Sequence, residues 1–413
     1  MRVAYLTQSY PPMISGAAIS LEQTAEAMAE RGHTVMVIAA SEREYGYHTY
    51  KDHITIIRLP SVNNPLRVGQ RLILNPHKSV MKHLKQFQPD VIHAHEPIQM
   101  GAIALEYTNH GHIPVTLTTH QLPWFVASYL PAWLKPSAEK FLWVYACGTL
   151  KRFTSIISPT KTIANIIEAR IGLTPEVISY GVDIQTFHPP LCSDTKIASR
   201  TRLNLPPNIP LLLNVGRLDT DKSVDKVIRG AAQAIRESEA HLLIVGDGCQ
   251  KKNLIRLSQE LRLDERVHFT GYIQPTSLPE IYRMADTFIT ASEIETQGIV
   301  LLEAAASGLP IVAVNATCIP EIVRNKVNGF LVEPGDIKGF SNAITTLLND
   351  TKRAQAMRRE SRILAERHDI RQTWLLHEKL YLEMVRKTRA QYAIKRTKLS
   401  DQRDLIKSLL GLK

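Results

Sequence analysis

Residues Ala291–Gly308, ASEIETQGIVLLEAAASG, follow a short apolar run at Thr287–Thr290 that is typical of a buried strand. The stretch begins as a polar loop containing Gly298, and an apolar run that predicts a helix starts at Ile299. The first N–H groups of such a helix have no partners inside it, so they can bind a negatively charged group. The stretch therefore predicts an α/β unit that holds an anion at the start of a helix.

Two carboxylates flank the predicted anion site. Glu295 lies in the loop, and Glu303 follows eight residues later, in the second turn of the predicted helix. Because only one of them belongs to the helix, the pair cannot coat a single helix face. It can instead bind hydroxyl groups at two ends of a ligand whose anionic centre rests on the helix start.

Strand-like and helix-like segments alternate along most of the chain. The predicted buried strands are 3–7, 34–39, 54–58, 91–94, 115–118, 155–158 and 177–179, then 211–215, 242–245, 267–269, 287–290, 311–314 and 330–332. This alternation predicts an α/β protein with two Rossmann-like, doubly wound domains. A ligand is expected in the cleft between them, where the carboxyl ends of the strands face each other.

The proline-rich segment Phe187–Pro210 separates the two series and predicts a linker with one short helix. We therefore divide the chain into an N-terminal domain, 1–186, and a second domain, 187–372. Residues 373–413 are predicted to form a C-terminal helix that returns to the N-terminal domain, followed by a basic amphipathic tail.

Composition limits the partners and the compartment. The chain has 413 residues, a net charge of +11 and a pI near 9.4, which suggest a nucleotide, nucleic acid or anionic membrane as partner. Its four cysteines lie far apart without a CxxC pair, which argues against a zinc site or disulfide framework and suits a reducing cytosol. We find no signal-peptide pattern and no apolar run of bilayer-spanning length, so we expect a cytoplasmic protein, soluble or peripheral on the inner face of the cell membrane.

The segment NVGRLDTDKS is the second candidate for anion binding. It places Arg217 and Lys222 at the carboxyl end of a predicted strand, where Arg can bind phosphate oxygens bidentately and Lys adds a mobile charge. Asp219 and Asp221 also fit a metal-binding DxD pattern, but a helix start favours acidic residues anyway, and we predict no metal. The Walker pattern GxxxxGK[ST] and the dinucleotide pattern GxGxxG are both absent.

Three further positions carry weaker signals. Gly246 in VGDG and Gly16 after the first strand allow a backbone to approach a phosphate closely. His120 in TTHQ follows the strand 115–118, where it could bond a sugar hydroxyl or stabilise developing charge. Taken alone, the GxG pattern around Gly246 is weak evidence, and His120 is better explained as an ordinary histidine on a polar loop.

Two segments suit the surface of an anionic membrane. One is the aromatic, proline-bounded loop that contains Trp124, Phe125, Tyr129 and Trp133. The other is a predicted helical region with apolar residues between Arg67, Arg71, Lys78, Lys82 and Lys85. Basic and aromatic amphipathic segments attach to anionic interfaces, although a core-packing loop and a solvated helix face explain each segment as well.

In combination these motifs resemble the GT-B-fold, retaining glycosyltransferases of the group-1 class, glycosyltransferase family 4. The matching segments span nearly the whole chain in family order: PPMISGAA, SYGVDIQTF, NVGRLDTDKS, VGDG, FTGYI, LPEIYRMADTFITAS, ETQGIVLLEAAASGLPIVA and NGFLVEPGD. Two departures stand out. The first loop has one glycine, Gly16, where the family has a pair, and Thr-Gln-Gly after Glu295 replaces the commoner Gly-Phe-Gly. The latter variant is similar to the branch that glycosylates diacylglycerol lipids.

The resemblance implies that a nucleotide-diphosphate sugar binds the second domain and the acceptor binds the first. Implied catalytic residues are His120, Arg217, Lys222 and Glu295, and implied donor-binding residues are Gly16, Gly246, Tyr272, Gly298, Ile299, Val300 and Glu303. Glu295 would contact the sugar, Glu303 the ribose and Tyr272 the base, whereas Arg217 and Lys222 would contact the diphosphate. No cofactor is implied besides the nucleotide-sugar co-substrate, and no nucleic acid.

The resulting hypothesis is retaining transfer of a hexose from a UDP-sugar to a membrane lipid, such as diacylglycerol or a glycolipid. The same chemistry on a soluble or polysaccharide acceptor is one alternative, and a GT-B sugar-nucleotide epimerase is another. A non-enzymatic basic protein that binds membranes or nucleic acid would explain the pI, but not the combination of an Arg–Lys loop with a Glu pair.

Overall fold

The computed structural model describes residues 1–13, 15–64, 70–109, 112–127 and 130–409, and their side chains except at 109, 193–195 and from 395 onward. The chain forms two compact units. The first comprises Met1–Ser158, Ala164–Ile178 and the chain from Trp374 onward, and the second comprises Pro159–Ile163 and Ser179–Thr373. Each unit is built on a mainly parallel sheet with helices, which confirms the predicted doubly wound α/β class.

The sheet of the first unit has eight strands. In chain order the strands of this unit are β1 Arg2–Leu6, β2 Thr34–Ala40, β3 Tyr47–Lys51, β4 Ile54–Leu59, β5 Ser61–Asn63, β6 Arg71–Ile73, β7 Val91–Ala94, β8 Val115–Thr118, β9 Ser155–Ser158 and β10 Glu176–Val177. The sheet order is β10-β9-β8-β7-β1-β2-β4-β3, with only β3 antiparallel to its neighbour, and β5 pairs with β6 separately. Since β1 lies between β2 and β7, the strand order reverses there, and a crevice forms beside the carboxyl end of β1.

The helices of the first unit are α1 Gly16–Glu30, α2 His77–Phe87, α3 Gln99–Asn109, α4 Pro123–Ala127, α5 Lys135–Leu150, most of α6 Lys161–Ile171, and α15 Ile370–Leu409 from Trp374 onward. Helix α1 begins at Gly16, earlier than the predicted start near Ser20, because the Ser15 hydroxyl accepts a hydrogen bond from Ala18 N at 3.1 Å. Helix α15 packs Tyr381 into the core formed with Val3 and Tyr5, which confirms the predicted return to the first domain.

The second unit contains a six-stranded parallel sheet. Its strands are β11 Leu211–Val215, β12 His241–Val245, β13 Val267–Gly271, β14 Thr287–Thr290, β15 Ile311–Val314 and β16 Gly329–Val332, in the order β13-β12-β11-β14-β15-β16. Leu211 to Leu213 and Ile311 to Ala313 are completely buried, as expected for parallel strands covered on both faces. The strand order reverses between β11 and β14, so a second crevice lies at their carboxyl ends.

Eight α-helices in the described part of the second unit accompany this sheet: α7 Ser193–Arg202, α8 Val224–Arg236, α9 Lys251–Glu260, α10 Leu278–Met284, α11 Ile299–Ala306, α12 Ile319–Ile322, α13 Ile337–Asn349 and α14 Thr351–Glu366. The segment predicted to be a linker carries α7 and belongs to this unit. The buried Arg200 guanidinium donates to the backbone oxygens of Met284 and Ile209 at 2.7–2.9 Å, which fixes the segment on α10.

Candidate active site

The predicted donor residues meet at one edge of the second sheet. The loops that follow the adjacent strands β13, β12, β11 and β14 carry Tyr272, Gly246, Arg217 and Glu295, respectively. Since all four strands run parallel, their carboxyl ends lie at the same edge. The structure therefore brings together residues that are far apart in sequence, around the point where the strand order reverses.

Lys222 and Glu295 form an ion pair at the centre of this edge. The distance from Lys222 Nζ to Glu295 Oε1 is 2.5 Å, and the side chains are only 22% and 15% exposed. The Glu295 backbone oxygen also accepts a hydrogen bond from the Cys318 thiol at 3.2 Å. The pair therefore places one cation and one carboxylate in a partly desolvated position, where charge interactions are stronger than at an open surface.

Arg217 is oriented by the two aspartates of the DTD segment. Its guanidinium donates to Asp219 and, at 2.9 Å, to Asp221 Oδ2. Asp219 Oδ1 also accepts from the Cys249 backbone N–H at 3.2 Å, which joins the loops after β11 and β12. The two carboxylates that suggested a DxD motif therefore bind a cationic side chain of this chain. Among the described residues, no group of three or more His, Cys, Asp or Glu could hold a metal ion.

Two glycines allow the backbone to close around this edge. Gly246 has φ +136°, and a Cβ there would lie 1.9 Å from the Gly216 carbonyl oxygen, so no larger residue fits. Gly298 has φ +79° and caps α11, which begins at Ile299 and continues with Val300. The left-handed conformation of Gly298 turns the loop sharply into the helix and places these first-turn residues where the sequence predicted them.

Glu303 lies in the second turn of α11, and its partner was not predicted. Glu303 Oε2 accepts a hydrogen bond of 2.7 Å from the hydroxyl of Tyr282 on α10. Burial raises the pKa of Glu303 to about 7. Burial, followed by the negative charge of Glu303, raises the pKa of Tyr282 well above its ordinary value, so the tyrosine remains protonated and can donate.

The loop between Glu295 and Gly298 is held by a second residue that sequence reasoning missed. Gln297 is 1% exposed, and its amide oxygen accepts from Tyr180 N at 2.7 Å while its amide nitrogen donates to Ser179 Oγ at 2.6 Å. Both ends of the side chain are therefore used inside the protein. Gln297 fixes the loop conformation and does not point toward a ligand.

The remaining candidates have distinct positions. Tyr272 is 43% exposed just after β13, with its hydroxyl 3.3 Å from Gln274 Oε1. In the first unit, exposed Gly16 is the first residue of α1. His120 follows β8, and its Nε2 lies 2.7 Å from Nδ1 of His95, which follows β7. Burial lowers the pKa of His120 to about 4, so its ring is neutral at pH 7.

Two family models match the chain, one over each half. The model described as Glycosyl transferases group 1 matches residues 195–363, and the model described as Glycosyltransferase Family 4 matches residues 14–186. The first range contains the complete edge around the Lys222–Glu295 pair, and the second contains Gly16 and His120.

The relatives are sugar transferases and glycolipid synthases by their names. The alpha-monoglucosyldiacylglycerol synthase of Streptococcus pneumoniae is 27% identical over 336 residues, which are 80% of this chain and 75% of that protein. The sulfoquinovosyl transferase SQD2 of Arabidopsis thaliana is 32% identical over 317 residues, 74% of this chain and 58% of that protein. Among solved structures, Anabaena HepE in complex with UDP and glucose matches with a TM-score of 0.74 at 19% identity, covering 93% of this chain and 100% of that chain, which shows a shared fold.

Proposed function

Since the chain belongs to the group-1 glycosyltransferases and has the GT-B fold, we propose that it transfers a hexose from a UDP-sugar to a membrane lipid. The observation that carries the donor half of the proposal is the Lys222–Glu295 ion pair beside the start of α11. The lipid acceptor is supported by the name of the Streptococcus pneumoniae relative, a diacylglycerol glucoside synthase, and by an exposed apolar surface on the first unit.

The donor is proposed to lie along the carboxyl edge of the second sheet. Its diphosphate would bind Arg217, Lys222 and the first-turn N–H groups of α11, because cations and helix N-termini both attract phosphate. Glu295 would accept hydrogen bonds from sugar hydroxyls, and Glu303 would accept them from the ribose. The match to HepE, whose structure contains UDP and glucose, supports a uridine nucleotide as the donor.

In the proposed reaction the bond between the anomeric carbon and the β-phosphate oxygen breaks, and a bond to the acceptor oxygen forms on the same face. Negative charge develops on the leaving diphosphate, where Lys222, Arg217 and the start of α11 can stabilise it without reorganisation. The leaving phosphate takes the proton of the acceptor hydroxyl. Configuration is thereby retained without a protein nucleophile.

The proposed function is tested by a panel of radiolabelled nucleotide sugars incubated with the full chain and a mixed lipid extract. We expect one UDP-sugar to label a lipid product that migrates as a glycolipid. Parallel reactions contain a soluble or polysaccharide acceptor, or no acceptor. Label found only in soluble saccharides would contradict the lipid acceptor, and an isomerised nucleotide sugar formed without acceptor would indicate an epimerase instead.

We expect transferase activity to persist when divalent metal ions are removed with EDTA. The physical reason is that Lys222 and Arg217 supply the positive charge that a metal ion would otherwise provide at the diphosphate. At matched ionic strength, which keeps charge screening the same, initial rates in EDTA and in excess Mg²⁺ should agree within about twofold. A strict Mg²⁺ requirement would contradict the prediction and would revive the DxD interpretation of Asp219 and Asp221.

The surface available to a membrane differs from the one that the sequence predicted. Trp124 packs on Phe125 and on Trp143, with ring centroids 5.9 Å apart in both cases, and is only partly exposed. The most exposed large apolar residues in the described part of this segment are Trp133, at 77%, and Phe141 and Val144 of α5, at 70% and 68%. Phe141 and Val144 are three residues apart on one helix, so they share a face.

Basic residues are exposed on two helices of the first unit. Lys135 and Lys140 are exposed on α5, and Lys78, Lys82 and Lys85 of α2 line a groove of about 860 Å³. Arg71 is not helical as predicted: it lies on β6 and donates to Asn63 Oδ1 at 2.9 Å. Arg67, Tyr129 and the side chains of the basic tail lie outside the described residues. None of the helices in the described ranges is long and apolar enough to span a membrane.

Replacing Trp133 and Phe141 by serine is expected to weaken binding to anionic vesicles by about tenfold per residue, because burying each large apolar side chain contributes about 1.5–3 kcal/mol. Co-sedimentation with phosphatidylglycerol vesicles measures the effect. Leu191→Ser is the matched control, since Leu191 is 87% exposed in the second unit. Equal vesicle binding by the double variant and the control would remove the proposed membrane surface.

A further inference from the structure

Aromatic side chains cluster at the carboxyl ends of β7 and β8 in the first unit. His93 lies on β7 and uses both ring nitrogens, with Nδ1 2.7 Å from the Tyr381 hydroxyl and Nε2 2.7 Å from Thr118 Oγ1. His95 follows the same strand, and its ring packs against the His93 ring with a centroid distance of 4.2 Å. His93 is therefore held by two hydroxyl groups, whereas the hydrogen-bond partner of His95 is another histidine ring.

His95 contacts His120, the residue predicted to meet the donor sugar. The rings stack with an interplanar angle of 18° and a centroid distance of 5.0 Å, and His95 Nδ1 lies 2.7 Å from His120 Nε2. Burial lowers the pKa of both histidines, so both rings are neutral at pH 7. A hydrogen bond between two neutral imidazoles needs a proton on one of these nitrogens and a lone pair on the other.

The second nitrogen of His95 decides which ring donates. His95 Nε2 is buried and has no hydrogen-bond partner among the described residues. If His95 accepted at Nδ1, its proton would lie on this buried Nε2, and orphaned N–H donors are rare in proteins. If His95 donates at Nδ1, Nε2 is an unprotonated acceptor, and under-satisfied acceptors are better tolerated. The second arrangement is therefore favoured.

We propose that His95 is a positioning residue for His120: its Nδ1–H donates to His120 Nε2 and thereby holds the proton of His120 on Nδ1. The role of His120 in transfer rests on the proposed function, whereas the tautomer does not. In this tautomer any group that meets His120 Nδ1 must accept a hydrogen bond. Hydroxyl, phosphate and carbonyl oxygens satisfy that requirement, so His95 fixes His120 as a hydrogen-bond donor at Nδ1.

The tautomer can be measured by long-range ¹H–¹⁵N NMR on the full chain with ¹⁵N-labelled histidine, near pH 7 and without substrate. The His120 signals are those lost in His120→Asn. We expect a protonated Nδ1 and an unprotonated Nε2 in the wild-type chain. Protonated Nε2 on His120 would overturn the proposal, and this measurement depends neither on any variant folding nor on any activity.

Two substitutions at His95 test positioning directly. His95→Leu removes the donor, so His120 should shift toward the Nε2–H tautomer, and kcat should fall about tenfold, the value of one net hydrogen bond, with little change in KM. His95→Asn can donate from the position of Nδ1 and should restore both the tautomer and most of kcat. An unchanged tautomer in His95→Leu would overturn the proposal. Full transfer by His120→Asn would instead refute the proposed role of His120.

Discussion

Replacing Lys222 by alanine is expected to lower kcat/KM for sugar transfer by about 10²–10³, the usual loss when one preorganised group at a developing charge is removed. Two effects act together. The leaving diphosphate loses a cation, and the Glu295 carboxylate, 15% exposed, loses the ammonium 2.5 Å away. Steady-state kinetics with varied donor measure the loss, and near-UV circular dichroism checks that the fold is retained.

The chain supplies a matched control for this experiment. Lys226 Nζ also lies 2.5 Å from a glutamate, Glu293 Oε1, but both side chains are 37% exposed. Since exposed ion pairs contribute about 0–1 kcal/mol, Lys226→Ala should change kcat/KM by no more than a few-fold. Glu295→Ala should resemble Lys222→Ala, and the double variant should lose less than the sum of the two because the residues act as one unit. Near-wild-type turnover by Lys222→Ala would contradict the site.

The sheets could be predicted from sequence because their central strands are buried on both faces. Strands such as Val91–Ala94 and Leu211–Val215 appear as mainly apolar runs, broken only by His93 and Asn214, and their predicted bounds are confirmed. The edge strand Tyr47–Lys51 reads YHTYK and is mostly exposed, so its polar composition hid it. Its partner β4 was predicted. Strand β3 joins β4 through backbone hydrogen bonds, and these leave no apolar pattern in the sequence.

The candidate site could be predicted only where a residue type carries the chemistry by itself. Lys222 and Glu295 were chosen singly at strand ends, and the structure brings their side chains into contact. The residues that support the site residues have no such sequence signal. In the sequence Tyr282 resembles any core aromatic residue, and only the structure shows that its hydroxyl donates to Glu303. Hydrogen bonds between distant segments depend on packing that one sequence does not reveal.

Two tryptophans show that similar sequence positions can also lead to different environments. From the sequence, Trp124 and Trp133 were predicted to lie in one aromatic loop and to contact a membrane together. In the structure Trp124 packs against Trp143, whereas Trp133 is 77% exposed. A tryptophan within or just before a helix can turn toward the core or toward solvent, and only the contacts with neighbouring helices decide which.

Glu303→Gln is expected to stabilise the ligand-free protein at pH 8 while weakening donor binding. Burial raises the pKa of Glu303 from 4.5 to about 7. Between these values the folded state binds more protons than the unfolded state, so stability falls as pH rises from about 5 to about 7 and stays low above that. The shift corresponds to about 3 kcal/mol at most, and a neutral glutamine avoids that cost. Part of the gain is lost because the glutamine NH₂ also needs a partner.

Thermal unfolding of the wild type and of Glu303→Gln at pH 5 and pH 8 tests the direction of this stability change. The melting temperature of Glu303→Gln should exceed that of wild type at pH 8, and the difference should shrink at pH 5, where Glu303 is protonated. Glu293→Gln removes the same charge from an exposed pair in the preceding loop and is the matched control. Donor affinity of Glu303→Gln should fall about 10–100-fold, because hydrogen bonds to a charged group contribute about 1.5–3 kcal/mol. If Glu303 binds the ribose, its replacement should raise the stability of the free protein and lower the affinity for the donor. If Glu303 is purely structural, its replacement should lower the stability as well as the affinity.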